Sequence, residues 1–410
     1  MKTLLLFIYI LLLILPFQQG FLKQYLAEIQ YIDEIFSLFA FLFIFFYTLI
    51  FLKIKRKFIV FNIFIIAFCL VGLISGILNN NEIKITFLGI FDYIKNFIFI
   101  LLGIMYFNEK RLKSLFLVLL NLYVLICATA IIIVISNLLS FKLPDFLGYI
   151  IEIRFGIPRV APFQIHPNML GLCSLLFFIL DFSLYPKFTF KKFLLLCGII
   201  LSGSRMVWTS FAVGMLFLVF IFKIRERIIY GFFLSLLFGI FVLPKIFEKT
   251  QTEYLSESYY RGYVIKKSFE IWKDSPFLGL GPGMYGGVVS VKFNSPIYER
   301  YNFSKQWYNF GLARFHSLDM FWPQILVECG LIGAILFLLF LYVLYKLARN
   351  KAINTNNKFV KHFSLGLSVV PIVIFFYLFG SGLNLAPFLI TYSIFLGMCL
   401  GTKNGNFISK

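Results

Sequence analysis

The sequence is poor in acidic residues and in histidine. Its 410 residues include 18 Asp and Glu against 38 Lys and Arg, and three His, so the formal net charge is +20. Charged residues form 14% of the chain and hydrophobic residues 60%, which leaves too little polar surface to cover a soluble core. The six cysteines lie in apolar segments without a CxxC pair, so neither a zinc pattern nor a disulfide framework is indicated. HExxH, GxSxG, Walker and protein-kinase patterns are missing, and nothing indicates a metal or another cofactor.

Long apolar stretches recur along the whole chain, and most can cross a hydrocarbon core of roughly 30 Å as helices. We therefore predict an all-α polytopic membrane protein with about twelve spans and an uncleaved first span. The predicted spans are residues 3–17, 35–52, 58–78, 86–107, 114–139, 166–186, 193–203, 206–222, 229–246, 322–345, 363–380 and 384–401.

Basic residues gather in every second connector, and these connectors are short. Short basic loops stay in the cytoplasm, so both termini are expected there, and the charge indicates topology rather than nucleic-acid binding. Residues 1–246 are then an N-terminal bundle of nine spans. Residues 247–321 form one large periplasmic loop, and residues 322–410 form the last three helices.

Arg205 stands between two apolar runs, in the sequence Ser202-Gly-Ser-Arg205. An arginine at such a place needs a partner or a water-filled cavity. Its planar guanidinium could clamp a phosphate, or it could anchor a helix end by reaching the lipid head groups. The sequence leaves both interpretations open. Because residues 193–203 are too few to span a bilayer, we expect a short or broken helix that turns at this point.

Arg261 lies in an amphipathic stretch, residues 259–272, that predicts a helix on the membrane surface. A segment with two prolines and five glycines follows at residues 276–287 and excludes regular structure. Glycines let backbone amides approach a ligand closely. Arg261 and this segment could therefore bind an anion, and a plain interfacial loop is the alternative.

His316 precedes the tenth predicted span, with Arg314 close by and Glu328 inside the span. Histidine is the side chain best suited to move a proton near neutral pH. A structural role at the membrane interface beside Trp322 is the alternative.

His166 and Asn168 begin the sixth predicted span, and Arg154 and Arg159 precede them in the same outer connector. They could face an outer cavity. They could instead cap the helix, for which Pro167 fits the first turn.

These pieces, in this order, resemble the O-antigen ligase and O-antigen polymerase superfamily of bacterial polysaccharide assembly. The resemblance is strongest over residues 150–345. It rests on Arg154-Phe-Gly-Ile-Pro-Arg159, His166-Pro-Asn-Met-Leu-Gly171, Ser202-Gly-Ser-Arg205, Arg261-Gly-Tyr263, Ile271-Trp-Lys-Asp-Ser-Pro-Phe-Leu-Gly-Leu-Gly-Pro-Gly283, His316-Ser317 and Ile325-Leu-Val-Glu-Cys-Gly-Leu-Ile-Gly-Ala334. Ser317 departs from the family pattern, in which Asn often follows the histidine.

The resemblance implies a glycosyltransferase-C-like fold in the bacterial inner membrane and a metal-independent, inverting glycosyltransferase without a cofactor. The implied donor is an undecaprenyl-diphosphate-linked glycan, and the implied acceptor is a lipid A-core or a second lipid-linked glycan. Arg205 and Arg261 would bind the diphosphate, and His316 would act as general base on the acceptor hydroxyl. Supporting roles would fall to Arg159, His166, Asn168, Arg314 and Glu328.

Three functions remain as alternatives to a ligase. A polymerase joins lipid-linked repeats and needs the same donor site and base. A transporter or flippase places polar residues near mid-membrane, whereas here they gather toward one face. An inactive scaffold partner is also compatible with the residues.

Overall fold

The computed structural model describes residues 2–18, 20–51, 56–105, 109–154, 156–221, 259–303, 317–318 and 320–401. Most of them are helical, as the apolar composition predicts. The helices are α1 (Lys2–Ile14), α2 (Ile32–Phe51), α3 (Arg56–Leu78), α4 (Ile83–Ile94), α5 (Phe99–Met105), α6 (Glu109–Leu138), α7 (Pro167–Leu184), α8 (Phe190–Leu201), α9 (Arg205–Ile221), α10 (Tyr260–Trp272), α11 (Val288–Lys292), α12 (Ile297–Arg300), α13 (Phe321–Ile353), α14 (Lys358–Tyr377) and α15 (Ala386–Gly401).

Four described helices are long and apolar enough to cross a membrane: α6, α7, α13 and α14. Helices α4 and α5 together make a fifth candidate, and α1, α3, α9 and α15 contain shorter apolar helices. The chain is therefore a polytopic membrane protein. The total of twelve spans stays a prediction, and the predicted span 229–246 lies outside the described residues.

Helix α7 lies at the centre of the bundle, with residues 167–183 almost entirely buried. It contacts α6, α8, α9, α14 and α15. The packing between α5 and α15 depends on small residues, because a Cβ added to Gly397 would lie 2.1 Å from the Ile100 carbonyl oxygen. Small residues let helix backbones approach closely in membranes, where lipid tails offer no hydrophobic drive.

The predicted span 86–107 is divided in the structure. Helices α4 and α5 meet at an angle of 51°. The break carries Lys95, whose ammonium binds Asp92 at 2.8 Å and Glu34 at 3.3 Å. A buried charge pair and the polar Asn96 explain why an apolar run that reads as one span does not form one helix.

The connector before α7 contains a β-hairpin, which corrects the all-α prediction. Strands β1 (Gly148–Arg154) and β2 (Ile157–Pro162) pair antiparallel, with an irregularity between Ile150 and Glu152. Side chains along β1 alternate between partly buried and exposed. The β-branched, alternating sequence Tyr-Ile-Ile-Glu-Ile-Arg carries this signal, and the dominant helical pattern masked it.

Helix α13 is broken at Gly330, which has φ +63° and ψ −167°. The segment 276–287, called here the glycine-rich turn, fits into this break. Backbone N–H groups of Leu280 and Gly281 donate to the carbonyls of Val327 and Glu328 at 2.8 and 2.9 Å.

The bonding at the break runs in both directions. The N–H groups of Leu331 and Ile332 donate to the Pro276 and Phe277 carbonyls at 2.9 and 3.1 Å. The turn thus satisfies backbone groups that the break frees, which is the condition for irregular backbone at membrane depth. The turn was predicted to lack regular structure, and this is confirmed.

Helix α10 confirms a helix in the amphipathic stretch but not its predicted position on the membrane surface. Its apolar face, with Val264 and Ile271 fully buried, packs on protein. Tyr285, Tyr298 and Phe303 of the following loop cover that face. The loop supplies its own aromatic core, so this face of the helix is covered without lipid.

Candidate active site

A cavity of about 810 Å³ opens beside these elements and is lined mainly by polar and charged side chains. We call it the charged cavity. It collects six of the residues singled out from the sequence, although they come from four separate parts of the chain: Arg154, Arg159, His166, Asn168, Arg205 and Arg261. Its volume lies within the range of roughly 300–1,000 Å³ that is usual for ligand sites.

Arg205 begins helix α9, directly after the turn that ends α8. Gly203 makes this turn with φ +56°, and a Cβ there would lie 3.1 Å from the Arg159 side chain. The close approach brings the stem of Arg159 against the turn that carries Arg205. Trp208 fixes the start of α9 by donating from Nε1 to the Ile199 carbonyl at 2.9 Å. The short helix and turn predicted for this segment are confirmed.

Arg159 lies on β2 and is held by two partners. Its guanidinium donates to Glu152 at 2.7 Å and to Oδ1 of Asn168 at 3.3 Å. Arg154 binds the same Glu152 at 2.7 Å. Partial burial would raise the pKa of Glu152, but the hydrogen bonds from Arg159 and Arg154 outweigh it and lower that pKa. The hairpin therefore presents an oriented guanidinium to the cavity.

His166 combines both roles considered for it. It is the N-cap of α7, and its Nδ1 accepts the backbone N–H of Asn168 at 3.2 Å. It is also exposed and lines the cavity. Capping satisfies one of the N–H groups that a helix start leaves without a partner. Asn168 is then fixed at the start of α7, with its side chain turned to Arg159.

Arg261 lies in the first turn of α10 and reaches the same cavity. Gly286 and Gly287, at the end of the glycine-rich turn, and the following Val288 add backbone to the wall. Tyr298 holds this backbone, because its hydroxyl accepts the Gly286 N–H at 2.8 Å. Burial raises the pKa of Tyr298, so the hydroxyl stays neutral.

The structure leaves part of the predicted site outside the described residues. His316 and Arg314 both lie there. The next residue, Ser317, lines the cavity, and the N–H of Leu318 donates to the Gly286 carbonyl at 2.8 Å. Glu328 is described and fully buried, and it does not line the cavity.

A second group of charges in the cavity was not assigned to the site from the sequence. Glu34, Asp92 and Lys95 line it, together with Tyr93 and Gln324. The available signal was the presence of charged residues within apolar segments, which mark functional sites in membrane proteins. Among the described residues, no three His, Cys, Asp or Glu side chains are grouped to hold a metal ion.

The arrangement suits an anion with several oxygens. Guanidinium groups from β2, α9 and α10 line one cavity, and each offers a planar set of donors that matches phosphate oxygens. Because these groups are fixed by separate elements, little reorganisation is needed when charge develops on a bound group.

The comparison with protein families agrees with this geometry. The profile described as O-antigen ligase matches residues 192–338. The match covers the segment from helix α8 to the middle of α13. No curated protein matches the chain at a significant level. The resemblance to the ligase and polymerase superfamily is confirmed over this segment. The O-antigen ligase segment includes Arg205, Arg261, His316 and Glu328, whereas the hairpin and α7 precede it.

Proposed function

We propose that the protein transfers a polyprenyl-diphosphate-linked glycan to an acceptor hydroxyl at the periplasmic face of the bacterial inner membrane, as an O-antigen ligase does. The observation that carries the proposal is the charged cavity, which Arg205 and Arg261 both line although 56 positions separate them in the chain. The family match supports the reaction class, and the cavity supports the kind of donor.

The donor is assigned from charge and geometry. A diphosphate between a lipid and a sugar carries negative charge on several oxygens. Arg205 and Arg261 bind it, and Arg159, oriented by Asn168, supports them from β2. His166 fixes Asn168 through the start of α7. Arg314 lies in the same outer loop and is assigned a supporting role only on the family resemblance.

The reaction is a single displacement at the anomeric carbon of the glycan. The acceptor oxygen forms the new bond while the bond between the anomeric carbon and the diphosphate oxygen breaks. The electron pair leaves with the diphosphate, where the guanidiniums offset the growing charge. His316 accepts the proton of the acceptor hydroxyl. A single displacement inverts the configuration of the anomeric carbon. The donor is already activated, because its diphosphate is the leaving group.

The acceptor distinguishes a ligase from a polymerase. We place a lipid A-core in the acceptor role and keep a second lipid-linked glycan as the alternative. A deletion strain separates them. Undiminished polymer that stays on its carrier lipid supports a ligase, and surface lipid capped with a single repeat supports a polymerase.

The topology of the proposal follows the charge of the connectors. Both termini and the short basic loops are cytoplasmic, and residues 247–321 are periplasmic. Under this orientation the hairpin, the start of α9 and α10 all face the periplasm.

The test uses purified protein in proteoliposomes with a synthetic undecaprenyl-diphosphate-linked oligosaccharide and extracted lipid A-core. His316→Ala is expected to lower transfer by roughly 10²-fold or more, because general bases contribute 10²–10⁴-fold. Arg261→Ala is expected to lower it by roughly 10²-fold, which is the usual loss for one charge-stabilising donor. Arg205→Lys keeps the charge and loses the planar fork, so it tests geometry.

Arg300→Ala is the matched control, because Arg300 lies in the same loop, has a side chain 67% exposed and pairs only loosely with Asp274 at 3.5 Å. Normal transfer by a stably inserted Arg261→Ala or His316→Ala variant would refute the proposed function.

A further inference from the structure

The β-hairpin before α7 has one apolar face that the described residues leave exposed. The side chains of β1 alternate, and those that point away from the protein are Tyr149, Ile151 and Ile153. They are 54%, 44% and 72% exposed. Neighbouring large apolar side chains on a surface mark a contact with another molecule or with a membrane. A two-stranded hairpin is also marginally stable by itself, so a cover on this face would stabilise it.

The opposite face of the hairpin belongs to the charged cavity. Glu152 lies across from Arg159 in the register of the two strands and binds it, and Arg154 lies on the same side of β1. Arg154 and Arg159 both line the cavity. The hairpin is therefore amphipathic: one face carries guanidinium groups, and the other carries large apolar side chains.

The apolar face of β1 continues the exposed side of helix α6, which is long and apolar enough to cross a membrane. Exposed apolar residues recur on this helix at a spacing of seven, which places them on one side: Val118, Leu125, Ile132 and, just after the helix, Leu139. In a membrane-spanning helix this exposed apolar side faces lipid. The same surface thus runs from lipid-facing residues toward the hairpin.

The length of α6 sets the depth of the hairpin. The helix has 30 residues, about ten more than the hydrocarbon core needs, so its ends reach the head groups. Ten residues after the last residue of α6, Leu138, the chain begins β1, and both strands pack on α6. The hairpin therefore lies at the level of the membrane surface.

Aromatic side chains surround this junction. Phe141 and Phe146, between α6 and β1, are exposed. The ring of Phe146 meets that of Phe21 edge to face, with centroids 6.4 Å apart, and Phe21 in turn contacts the exposed Tyr25. Tyrosine rings gather at membrane surfaces, where one end is apolar and the other meets water. Tyr25 and Tyr149 fit such a belt.

The charge of the connector favours lipid over a charged protein surface as the cover. Between α6 and β1 the charged residues are Lys142 and Asp145, whose charges offset each other. The exposed surface is thus apolar and without net charge, as the region below the head groups requires.

We propose that the hairpin is an interfacial anchor: Tyr149, Ile151 and Ile153 lie among lipid molecules at the membrane surface and hold Arg154 and Arg159 at the depth of the lipid phosphates. The membrane contact is independent of the proposed function. Its consequence for the donor rests on that function, because a lipid-linked diphosphate lies at this depth.

Fluorescence quenching in phosphatidylcholine proteoliposomes tests the contact. Ile153→Trp and Tyr149→Trp each add one indole, whose emission is obtained by subtracting the signal of the four native tryptophans. Phosphatidylcholine brominated on its acyl chains is expected to quench both added indoles. The quenching should be weaker than for Leu125→Trp in the middle of α6, since interfacial residues enter only roughly 5–10 Å below the head groups.

Two controls of similar exposure frame the result. Leu125→Trp, at a position 65% exposed, reports lipid contact, and Arg300→Trp, where the native side chain is 67% exposed, reports water. If brominated lipid quenches Ile153→Trp and Tyr149→Trp no more than Arg300→Trp, the proposal is wrong. Iodide then identifies the cover: strong quenching by iodide means water, and protection from iodide means a second copy of the chain.

Ile153→Ser tests the consequence for the donor without changing the charge of the cavity. It is expected to raise the donor KM by roughly three- to tenfold with little change in kcat, because a partly buried isoleucine contributes less than a fully buried one. Ile153→Leu should keep the wild-type KM. A wild-type KM in Ile153→Ser overturns the role of the anchor in donor binding. Lack of transfer by the wild-type protein refutes the proposed function instead and leaves the quenching result unaffected.

Discussion

Gly279→Ala tests how tightly the glycine-rich turn fits into the broken helix α13. Gly279 has φ +73°, and an added Cβ would lie 2.5 Å from the Glu328 carbonyl oxygen and 2.6 Å from the Cys329 nitrogen. Both contacts are to backbone, which cannot rotate away as a side chain can. The substitution therefore combines an unfavourable backbone conformation with a steric overlap.

The two costs can be estimated separately. A left-handed conformation costs a residue with a Cβ about 1–2 kcal/mol, and overpacking a tight site costs about 1–3 kcal/mol more. The expected loss in the free energy of unfolding is therefore about 2–5 kcal/mol. Transfer activity should fall as well, because the same turn includes Gly286, whose backbone lines the cavity.

Gly156→Ala provides the matched control. Gly156 has φ +76°, almost the same as Gly279, but an added Cβ there meets nothing within 4 Å. It should cost only the conformational part, about 1–2 kcal/mol. The assay is denaturant unfolding of both variants in detergent micelles. Equal destabilisation of the two would refute the insertion of the turn into the break.

Three further predictions concern charges. Asn168→Ala removes one of two partners of Arg159 and should raise the donor KM by roughly three- to tenfold, because this long hydrogen bond of 3.3 Å should contribute about 1 kcal/mol; initial transfer rates measure it. Because folding lowers the pKa of Glu152, the ionised carboxylate stabilises the fold fully above the pKa of an unfolded glutamate, about 4.3. This stabilisation is lost as the pH falls through the pKa of Glu152 in the folded protein. The melting temperature of Glu152→Gln should thus fall less steeply on acidification than that of the wild type. Lys192→Met leaves the carboxylate of Asp181, whose side chain is 9% exposed, without its partner and should cost about 3–5 kcal/mol of unfolding free energy.

Each of these predictions has an outcome that contradicts it. An unchanged KM in Asn168→Ala would mean that Arg159 is positioned without the amide. If the melting temperatures of Glu152→Gln and wild type fall equally on acidification, the Glu152 carboxylate does not stabilise the fold. A Lys192→Met variant as stable as the wild type would mean that water reaches Asp181.

Some features could be predicted because they depend on local sequence. Apolar length predicted the helices α6, α7, α13 and α14 closely, since a span needs only enough consecutive apolar residues. The turn before Arg205 followed from eleven residues being too few for a span. Motif order predicted the resemblance to the O-antigen ligase family, which the profile match over residues 192–338 confirms.

Other features depend on contacts between distant residues, which periodicity does not report. The break between α4 and α5 is stabilised by Glu34, 61 positions from Lys95. The cover on α10 comes from aromatic side chains of the next loop. The kink at Gly330 depends on the glycine-rich turn, which forms hydrogen bonds with the backbone groups that the kink leaves unpaired in α13. Neither element can therefore be recognised from its own sequence alone.

The amino-acid sequence by itself determined that the chain enters a membrane and roughly where, and it singled out the arginines and histidines that are proposed for the site, because apolar runs and rare polar residues are local properties. Only the tertiary structure decided that Arg159, Arg205 and Arg261 share one cavity, since they lie on a strand and two helices whose relative position depends on packing. It also gave Glu328 a place behind the cavity wall rather than in it. The physical reason is that a buried carboxylate must lie where hydrogen-bond donors can satisfy it. Those donors come from α4, α13 and the loop after α10.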